Sequence, residues 1–335
     1  MKLFKKVFTL LLVLSLCLSV AGCSNPEDDI KNAKNLSETS MRNKRETESH
    51  DTVFKIGTLQ LVQHAALDAS YKGFTDYLDE KGIKYDMDFQ NASGEQSACE
   101  TIAEKFANDK LDLCYAIATP AAQSALAHIA NTPIVASAVT DPAASGLCET
   151  NENPRGMLTA ASDLTPVDAQ FDLLVELVPN AKNIGILYCS GESNSKIQAD
   201  MAIEAAKKRN LTPTEYTAVN FSDIQTIVES MIGKVDVIYI PTDNVMAAGM
   251  STIATIANEN KIPTIVGEEG MCDNGAYATY GIDYYQLGRL AGRLAEDILI
   301  RRIKVGDIPV QYLNASDCKR KINENTAKIL GLNSK

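Results

Sequence analysis

The sequence has no tryptophan and only three histidines, His50, His64 and His128. Three scattered histidines are too few for a histidine-based metal site, whose ligands must converge on one ion. The chain also has no G-x-S-x-G, no H-E-x-x-H and no P-loop, the motifs of common hydrolases, metalloproteases and nucleotide-binding proteins. No Ser-His-Asp or Cys-His set is suggested by the order of the residues. The sequence therefore predicts a protein without catalysis, metal or cofactor.

The eight cysteines include no C-x-x-C pair, so neither a zinc site nor a thioredoxin-type redox motif is predicted. Their spacing does not resemble a disulfide framework, and a body of this size does not need one. We expect buried thiols, with one oxidised pair left open. Once the N-terminal segment is processed and its cysteine is modified, six remain: Cys99, Cys114, Cys148, Cys189, Cys272 and Cys318.

The sequence also has fewer basic than acidic residues. Lys and Arg number 32 against 43 Asp and Glu, which gives a net charge of −11. Residues 1–22 carry three lysines and no acids, so their removal would bring the charge to −14. This balance argues against nucleic acid as a partner, because nucleic acid requires a basic surface. It also argues against an electrostatic hold on anionic lipid.

The N-terminal residues predict a different attachment to the membrane. Three lysines precede an apolar stretch from Val7 to Val20, which is too short to be a comfortable membrane span. The segment Val20-Ala21-Gly22-Cys23 resembles a lipobox, at which a bacterial prolipoprotein is cut before a cysteine that receives lipid. We predict that residues 1–22 are a signal peptide and that Cys23 is lipidated; an ordinary secretory signal is the alternative.

Residues 23–52 are polar, mixed in charge and nearly free of large apolar side chains. Such a segment cannot bury enough apolar surface to fold, so we predict a disordered tether. A flexible chain of about 28 residues has a reach of roughly 30 Å. The protein is therefore expected outside the cytoplasm, at the cell surface, with a globular body held near the membrane by lipid on Cys23.

Residues 53–335 are long for one domain and suit two lobes. Apolar, β-rich runs alternate with amphipathic helices along this part, and the pattern occurs in the first half and again in the second. Such alternation is typical of parallel α/β sheets. We predict an α/β fold with two Rossmann-like lobes, joined by a hinge of several crossovers, and a ligand between them at the carboxyl ends of the strands. The predicted N-terminal lobe is 53–158 plus 284–310, and the C-terminal lobe is 159–283 plus 311–335.

Polar residues follow the predicted strands at the end where a ligand would lie. A single Ser, Thr, Asp or Asn there would be interpreted as a helix cap. Polar residues at seven strand ends that face one crevice indicate a binding site instead. The Thr119-Pro120 pair begins a helix whose open N–H groups suit a carboxylate. The candidate ligand-binding residues are Gln60, His64, Thr119, Asp141, Asp163, Glu192, Asn194, Asp243, Asn244 and Glu269.

Glu268 and Glu269 stand side by side at the end of a predicted strand, between IPTIV and AYATYG. A glycosidase pair needs two carboxylates that converge on one bond from a set separation. Successive residues at a strand end point to opposite sides, so these two cannot both face one substrate. We expect Glu269 to face the crevice and Glu268 to pack or face solvent.

Several segments together resemble the solute-binding lipoproteins of ABC importers, in the family that includes the tryptophan- and tyrosine-binding proteins. The resemblance covers about residues 54–332 and implies a type I periplasmic-binding fold, hinged lobes, no catalysis and an aromatic amino acid as a common ligand. It places Thr119, Asp141, Asp163, Asp243 and Asn244 in the ligand cleft, with Glu192 and Asn194 nearby. The segments are IATPAAQSAL, VTDPAASGL, AASDLTPV, IPTDNVMAAGM, SGESNSKIQ and GEEGMCDNGAYATYGIDYYQLG.

The resemblance favours a monomeric receptor that delivers an aromatic amino acid, tyrosine before tryptophan or phenylalanine, to a membrane permease and its ATPase. Asp243 or Asp141 would accept from the ligand ammonium, and the helix that begins at Thr119 would donate to its carboxylate. Without tryptophan, the wall around an aromatic ring must come from Tyr, Phe or aliphatic residues. The alternatives are a surface lipoprotein adhesin on the same scaffold and a receptor for another small solute.

Overall fold

Two six-stranded sheets form the framework of residues 52–333, the part of the chain that the computed structural model describes. The predicted signal peptide, the lipidation of Cys23 and the tether lie outside the described residues. In chain order the strands are β1 Phe54–Gln60, β2 Tyr85–Asn91, β3 Leu113–Ile117, β4 Ile134–Val139, β5 Leu158–Ser162, β6 Asn183–Cys189, β7 Thr212–Ala218, β8 Val237–Ile240, β9 Thr264–Val266, β10 Ala278–Gly281, β11 Gln311–Tyr312 and β12 Lys319–Ile322.

Helices cover both faces of the sheets, which is why strands such as β3, β4 and β8 are buried along their whole length. None of the helices within residues 52–333 is long and apolar enough to cross a membrane. The α-helices are α1 Ala65–Glu80, α2 Gln96–Asn108, α3 Thr119–His128, α4 Val167–Leu177, α5 Ser193–Lys208, α6 Ile224–Met231, α7 Asn244–Ala248, α8 Met250–Glu259, α9 Glu269–Asp273, α10 Tyr284–Leu299 and α11 Glu324–Leu330.

The strand order is β11-β5-β4-β3-β1-β2 in the first sheet and β12-β10-β9-β8-β6-β7 in the second. All neighbours pair in parallel except β10 and β12, which are antiparallel. The predicted α/β class with two mostly parallel sheets is confirmed. In each sheet the first strand of the half lies between the next two: β2 and β3 flank β1, and β7 and β8 flank β6. The strand order therefore reverses at β1 and at β6, and each lobe has a crevice there at the carboxyl ends of its strands.

The chain passes between the sheets three times, at residues 163–166, 282–283 and 313–318. The predicted lobe boundaries differ from this at two places. Strand β5 pairs with β4, so the first lobe extends to Ser162 and does not end at residue 158. Strand β11 pairs with β5, so it belongs to the first sheet and not to the C-terminal lobe. Short edge pairings of this kind leave no pattern in the sequence.

Residues 244–259 form two helices, α7 and α8, which meet at Gly249. A Cβ atom on Gly249 would lie 2.3 Å from Ile224 Cδ1. The break between α7 and α8 therefore lies at a residue whose side chain can be no larger than a hydrogen atom, because α6 packs against it.

All six described cysteines are free thiols, and four of them are buried: Cys99, Cys114, Cys189 and Cys272. Burial raises the pKa of each of these four thiols to about 12, so they remain protonated. Residues 52–333 contain no group of three or more His, Cys, Asp or Glu side chains that could hold a metal ion.

Helices α1 and α10 contact each other backbone to backbone in the first lobe. A Cβ atom on Gly288 would lie 1.9 Å from the carbonyl oxygen of Ser70, and one on Gly73 would lie 2.0 Å from that of Tyr285. The Ser70 side chain then joins the buried hydroxyls of Tyr115 and Ser137, at 3.0 and 2.8 Å. This close approach holds α10, and with it the second crossover, against the first sheet.

Gly288→Ala should therefore destabilise the protein, because a methyl group cannot fit without separating α1 from α10. Overpacking of this kind costs about 1–3 kcal/mol, and a domain of this size loses about 2–4 °C in melting temperature per kcal/mol. Gly156→Ala is the control, since its added Cβ would lie at an ordinary contact distance, 3.8 Å, from the Pro154 carbonyl oxygen. Equal melting temperatures for the two variants in a thermal scan would contradict the close packing.

Candidate ligand-binding cleft

The carboxyl ends of the two sheets face each other across a small cavity of about 10 Å³. This is about the space that one water-sized group needs, so the lobes are closed on each other. Side chains of both lobes and of the crossovers line the cavity. They include five of the predicted ligand residues, namely His64, Asp163, Asn194, Asp243 and Asn244, and also Glu268 and Tyr284.

A hydrogen-bond chain joins the lobes at one side of this cavity. His64 Nε2, at the start of α1, lies 3.2 Å from Asn244 Oδ1, at the start of α7. Asn244 Nδ2 donates to Glu192 Oε2 at 2.6 Å, which fixes the orientation of the amide. The oxygen of Asn244 therefore faces His64, and His64 must donate from Nε2. Burial lowers the pKa of His64, which keeps the ring neutral.

A second set of hydrogen bonds joins the lobes. Gln198 on α5 donates from Nε2 to Thr140 Oγ1, at 2.8 Å, just after β4. The same amide contacts Thr242, which follows β8. Gln123 Nε2, on α3, lies 3.4 Å from Ser193 Oγ, and neither residue lines the small cavity. Closure therefore rests on uncharged hydrogen bonds at the ends of the strands.

Asp243 and Glu268 each cap a short helix and line the cavity as well. The Asp243 carboxylate accepts from the backbone N–H groups of Cys189 and Met246, at 2.6 and 2.8 Å. The Glu268 carboxylate accepts from those of Gly270 and Met271, at 2.5 and 2.6 Å. These are charge-assisted bonds, so both acids support the fold of the strand ends that present them.

Asp163 lies in the first crossover and is almost fully buried. It accepts from Thr140 Oγ1 at 3.1 Å and from the hydroxyl of Tyr284 at 2.7 Å. Tyr284 is the first residue after the second crossover, so this bond joins two of the three hinge segments. Burial raises the pKa of Asp163 above its ordinary value.

The cleft holds more negative charge than its surroundings neutralise. Burial and, after it, the charge of the nearby Asp243 carboxylate together raise the pKa of Glu192 to about 7. Burial likewise raises the pKa of Glu268 to about 7 and shifts that of Asp243 upward. Among the described residues that line the cavity there is no Lys or Arg. Closing the cleft therefore favours uptake of protons or of another cation.

The placement predicted for the adjacent glutamates was wrong. Glu268 is the buried residue that lines the cavity, whereas Glu269 lies partly exposed with Oε2 3.7 Å from Lys321 Nζ. The two do point to different sides, as the strand geometry requires. The side was misassigned because Glu268 turns back to cap α9, which the sequence pattern does not show.

Asp141 also lies elsewhere than predicted, since its side chain is not part of the cavity lining. Its carboxylate accepts from Ala144 N at 3.1 Å and from Asn151 Nδ2 at 2.8 Å. These bonds stabilise the turn after β4. Asp141 therefore acts as a local cap, which is the ordinary role of a polar residue after a strand.

Gln60 and Thr119 are buried near the cleft and keep unsatisfied polar atoms. Gln60 donates to Val62 O and Asp68 Oδ1, while its own Oε1 has no partner among the described residues. Thr119 Oγ1 is also buried without a partner there. The residue before it, Ala118, has φ 88°, a conformation that side chains rarely adopt. Strained strand ends of this kind are typical of binding sites.

A second cavity of about 360 Å³ lies beside the first, and Asn244 lines both. Its volume is within the range of about 300–1,000 Å³ that is usual for ligand pockets. Polar groups of Glu192, Glu95 and Gln96 border it. The apolar lining comes from Leu61, Val62, Pro120, Val219, Phe221 and Val245.

Sequence reasoning missed Glu268, Tyr284, Thr242 and the apolar residues of the second cavity. Thr242 lies beside two predicted residues, Asp243 and Asn244, after β8. The rule that polar residues at strand ends mark the cleft was therefore sufficient to find it. Nothing in the sequence separates Val219 and Phe221 from ordinary exposed apolar residues.

Comparison with known proteins identifies the family. A profile of ABC transporter substrate-binding proteins matches residues 55–335. A protein from Clostridioides difficile named tyrosine-binding protein is 40% identical over 333 residues, which cover 98% of this chain and 93% of that protein. The structure of an ABC domain in complex with L-Trp, from Streptococcus pneumonia, has a TM-score of 0.82 at 34% identity, with 85% of this chain and 96% of that chain covered.

The ligand-free, open structure of a substrate-binding protein with adhesive properties from Clostridium difficile has a lower TM-score, 0.65, at 41% identity. That comparison covers 84% of this chain and 96% of the other. The more similar sequence thus superposes less well, which agrees with the closed cleft observed here. The profile match and the 40% identity over nearly the whole chain show that this protein belongs to the ABC transporter substrate-binding family.

Proposed function

We propose that this protein is the lipid-anchored receptor of an ABC importer and that it captures an aromatic amino acid, with tyrosine first and tryptophan or phenylalanine next. The observation that carries the proposal is the pair of adjoining cavities, one small and acidic and one larger and mainly apolar. An amino acid with a large ring has the same two parts, an ammonium group and an apolar side chain. The names of the tyrosine-binding relative and of the L-Trp complex support this assignment.

The cleft supplies binding groups for each part of such a ligand. Carboxylates of Asp163, Asp243 and Glu268 surround the small cavity. The larger cavity has no tryptophan and would enclose the ring with Phe221 and aliphatic side chains. The start of α3, where Pro120 lines the larger cavity and Thr119 Oγ1 has no partner within residues 52–333, would hold the ligand carboxylate.

The protein would act outside the cytoplasm, where ABC substrate-binding proteins work, and pass its ligand to a permease and an ATPase as a monomer. Its role is binding without catalysis. We attribute its attachment to lipid on Cys23, followed by the polar segment 23–52, on the lipobox-like sequence alone.

A second candidate function is adhesion at the cell surface. The observation that favours it is the C. difficile substrate-binding protein described as having adhesive properties, which is 41% identical. The two functions separate in one assay, because a variant with a blocked cleft would lose uptake and keep attachment if adhesion uses another surface.

Asp163→Asn should weaken tyrosine binding by at least about tenfold, since the variant keeps the shape of the side chain and removes a buried charge beside the ligand ammonium. Asp141→Asn is the matched control, because the Asp141 carboxylate stabilises a turn outside the cavity. Calorimetric titration of both variants with tyrosine, tryptophan and phenylalanine measures the difference. Equal loss in both variants, or none in either, would contradict this site.

Ligand should also close the lobes about the three crossovers, because the cavities have walls from both lobes. Small-angle scattering of the full chain should then show a smaller radius of gyration with saturating tyrosine than without it. A scattering profile that ligand does not change would point to a rigid scaffold and favour the adhesive role.

Cys23→Ala should release much of the protein from the membrane into the medium, because no other strong membrane attachment is predicted from the sequence. Detergent-free fractionation of cells that express each form measures the distribution. If the variant stays in the membrane fraction as fully as the parent, the lipoprotein assignment is wrong and the cleft proposal is unaffected.

A further inference from the structure

We propose that the small cavity is a site for a primary ammonium group, so that the ligands include arylalkyl amines without a carboxylate, such as tyramine. This inference rests on the proposed function, since it concerns the same cleft. It extends the substrate class beyond amino acids, because it makes the ammonium group the only charged group of the ligand that the cleft must recognise.

The hydrogen-bond roles of His64 identify it as an acceptor toward the cavity. Asn244 Nδ2 is committed to Glu192, so Asn244 presents its oxygen to His64 Nε2, which must donate. In a neutral imidazole the other nitrogen then carries a lone pair. That atom, His64 Nδ1, is buried and has no partner among the described residues.

Asn194 provides a second acceptor in the same way. Its Nδ2 lies within 3.1–3.2 Å of Glu192 Oε2, Ser195 Oγ and the Thr242 carbonyl oxygen, so the amide orientation is fixed. Its Oδ1 has no hydrogen-bond partner in the described part of the chain, although the residue is only 3% exposed and lines the cavity. A buried acceptor without a donor is costly, and a bound group that donates would remove the cost.

The unsatisfied side-chain atoms at this cavity are thus acceptors, and the charges around it are negative. Asp163, Asp243 and Glu268 line it, and no Lys or Arg is found among its described lining residues. A primary ammonium has three donors and no acceptor, which matches this set. A ligand carboxylate or hydroxyl placed here would bring its own oxygen lone pairs close to those of the protein carboxylates, which is unfavourable.

The size of the cavity supports the same group. A volume of about 10 Å³ admits one water-sized group, which suits an ammonium and excludes a ring. The ring would occupy the neighbouring cavity of about 360 Å³, which shares Asn244 with the first. Two carbon atoms join the ammonium to the ring in tyrosine and in tyramine alike.

Within residues 52–333, neither cavity offers a positively charged partner to a ligand carboxylate. The larger cavity has Glu95 and Glu192 in its wall, and none of its described lining residues is Lys or Arg. A ligand carboxylate would rely on uncharged donors near Thr119 and would lie among acids. The acids of the described lining attract an ammonium and repel a carboxylate, so the ammonium contributes more to binding than the carboxylate does.

The test compares three probes that share a phenol ring: tyrosine, tyramine and 3-(4-hydroxyphenyl)propionate, titrated calorimetrically into the full chain at neutral pH. Tyramine should bind with a Kd within about tenfold of that of tyrosine, whereas the propionate should bind at least about a hundredfold more weakly than tyrosine. Binding of tyrosine without tyramine, or of the propionate as tightly as tyrosine, would overturn this inference and leave the proposed function intact. Binding of tyramine without tyrosine would instead refute the amino-acid ligand.

A pair of variants separates ammonium recognition from lobe closure. His64→Leu removes the acceptor and one bond between the lobes, and Gln123→Leu removes a bond between the lobes away from the small cavity. Tyramine affinity should fall by about fivefold or more in His64→Leu and change by less than about twofold in Gln123→Leu. Equal effects in the two variants would show that His64 acts through closure alone and would overturn its role as an acceptor.

Discussion

The burial of carboxylates between two parallel sheets is the constraint on which the cleft depends. Asp243 and Glu268 accept backbone N–H groups at the starts of α7 and α9, so the same bonds that form the strand ends also hold negative charge at the cavity. Those bonds stabilise the ionised forms, while burial opposes them. The closed cleft therefore leaves acceptors without donors, His64 Nδ1 and Asn194 Oδ1 among the described residues, beside negative charge without a counter-charge, and the arrival of a cation is the favourable way to complete it.

Closure and recognition share residues in this arrangement. Asn244 contacts His64 in the other lobe and Glu192 in its own, and it lines both cavities. The bond from Tyr284 to Asp163 joins two crossovers at the wall of the small cavity. A ligand that contacts these residues would stabilise the closed arrangement of the lobes, because its contacts exist only when the walls meet.

Much of the fold could be predicted because its signals are local. Alternation of apolar runs and amphipathic helices predicted two lobes with parallel sheets, and two mostly parallel sheets are observed. The lobe boundaries were less accurate, since β5 and β11 join the first sheet through edge pairing between residues far apart in the chain. The break between α7 and α8 depends on contact of Gly249 with α6, which is also a tertiary effect.

The sequence by itself determined the α/β fold class, the acidic balance and the rule that polar residues at strand ends mark the cleft, because these follow from hydrophobic patterning, composition and local hydrogen-bonding capacity. The class of protein followed from the resemblance of whole segments to a known family. Only the tertiary structure decided which of those residues reach the cavity. Asp163 and Glu268 line it, whereas Asp141 stabilises its own turn and Glu269 lies near Lys321. The reason is physical: a carboxylate after a strand binds whichever N–H groups the neighbouring turns present, and those turns are positioned by packing between distant segments.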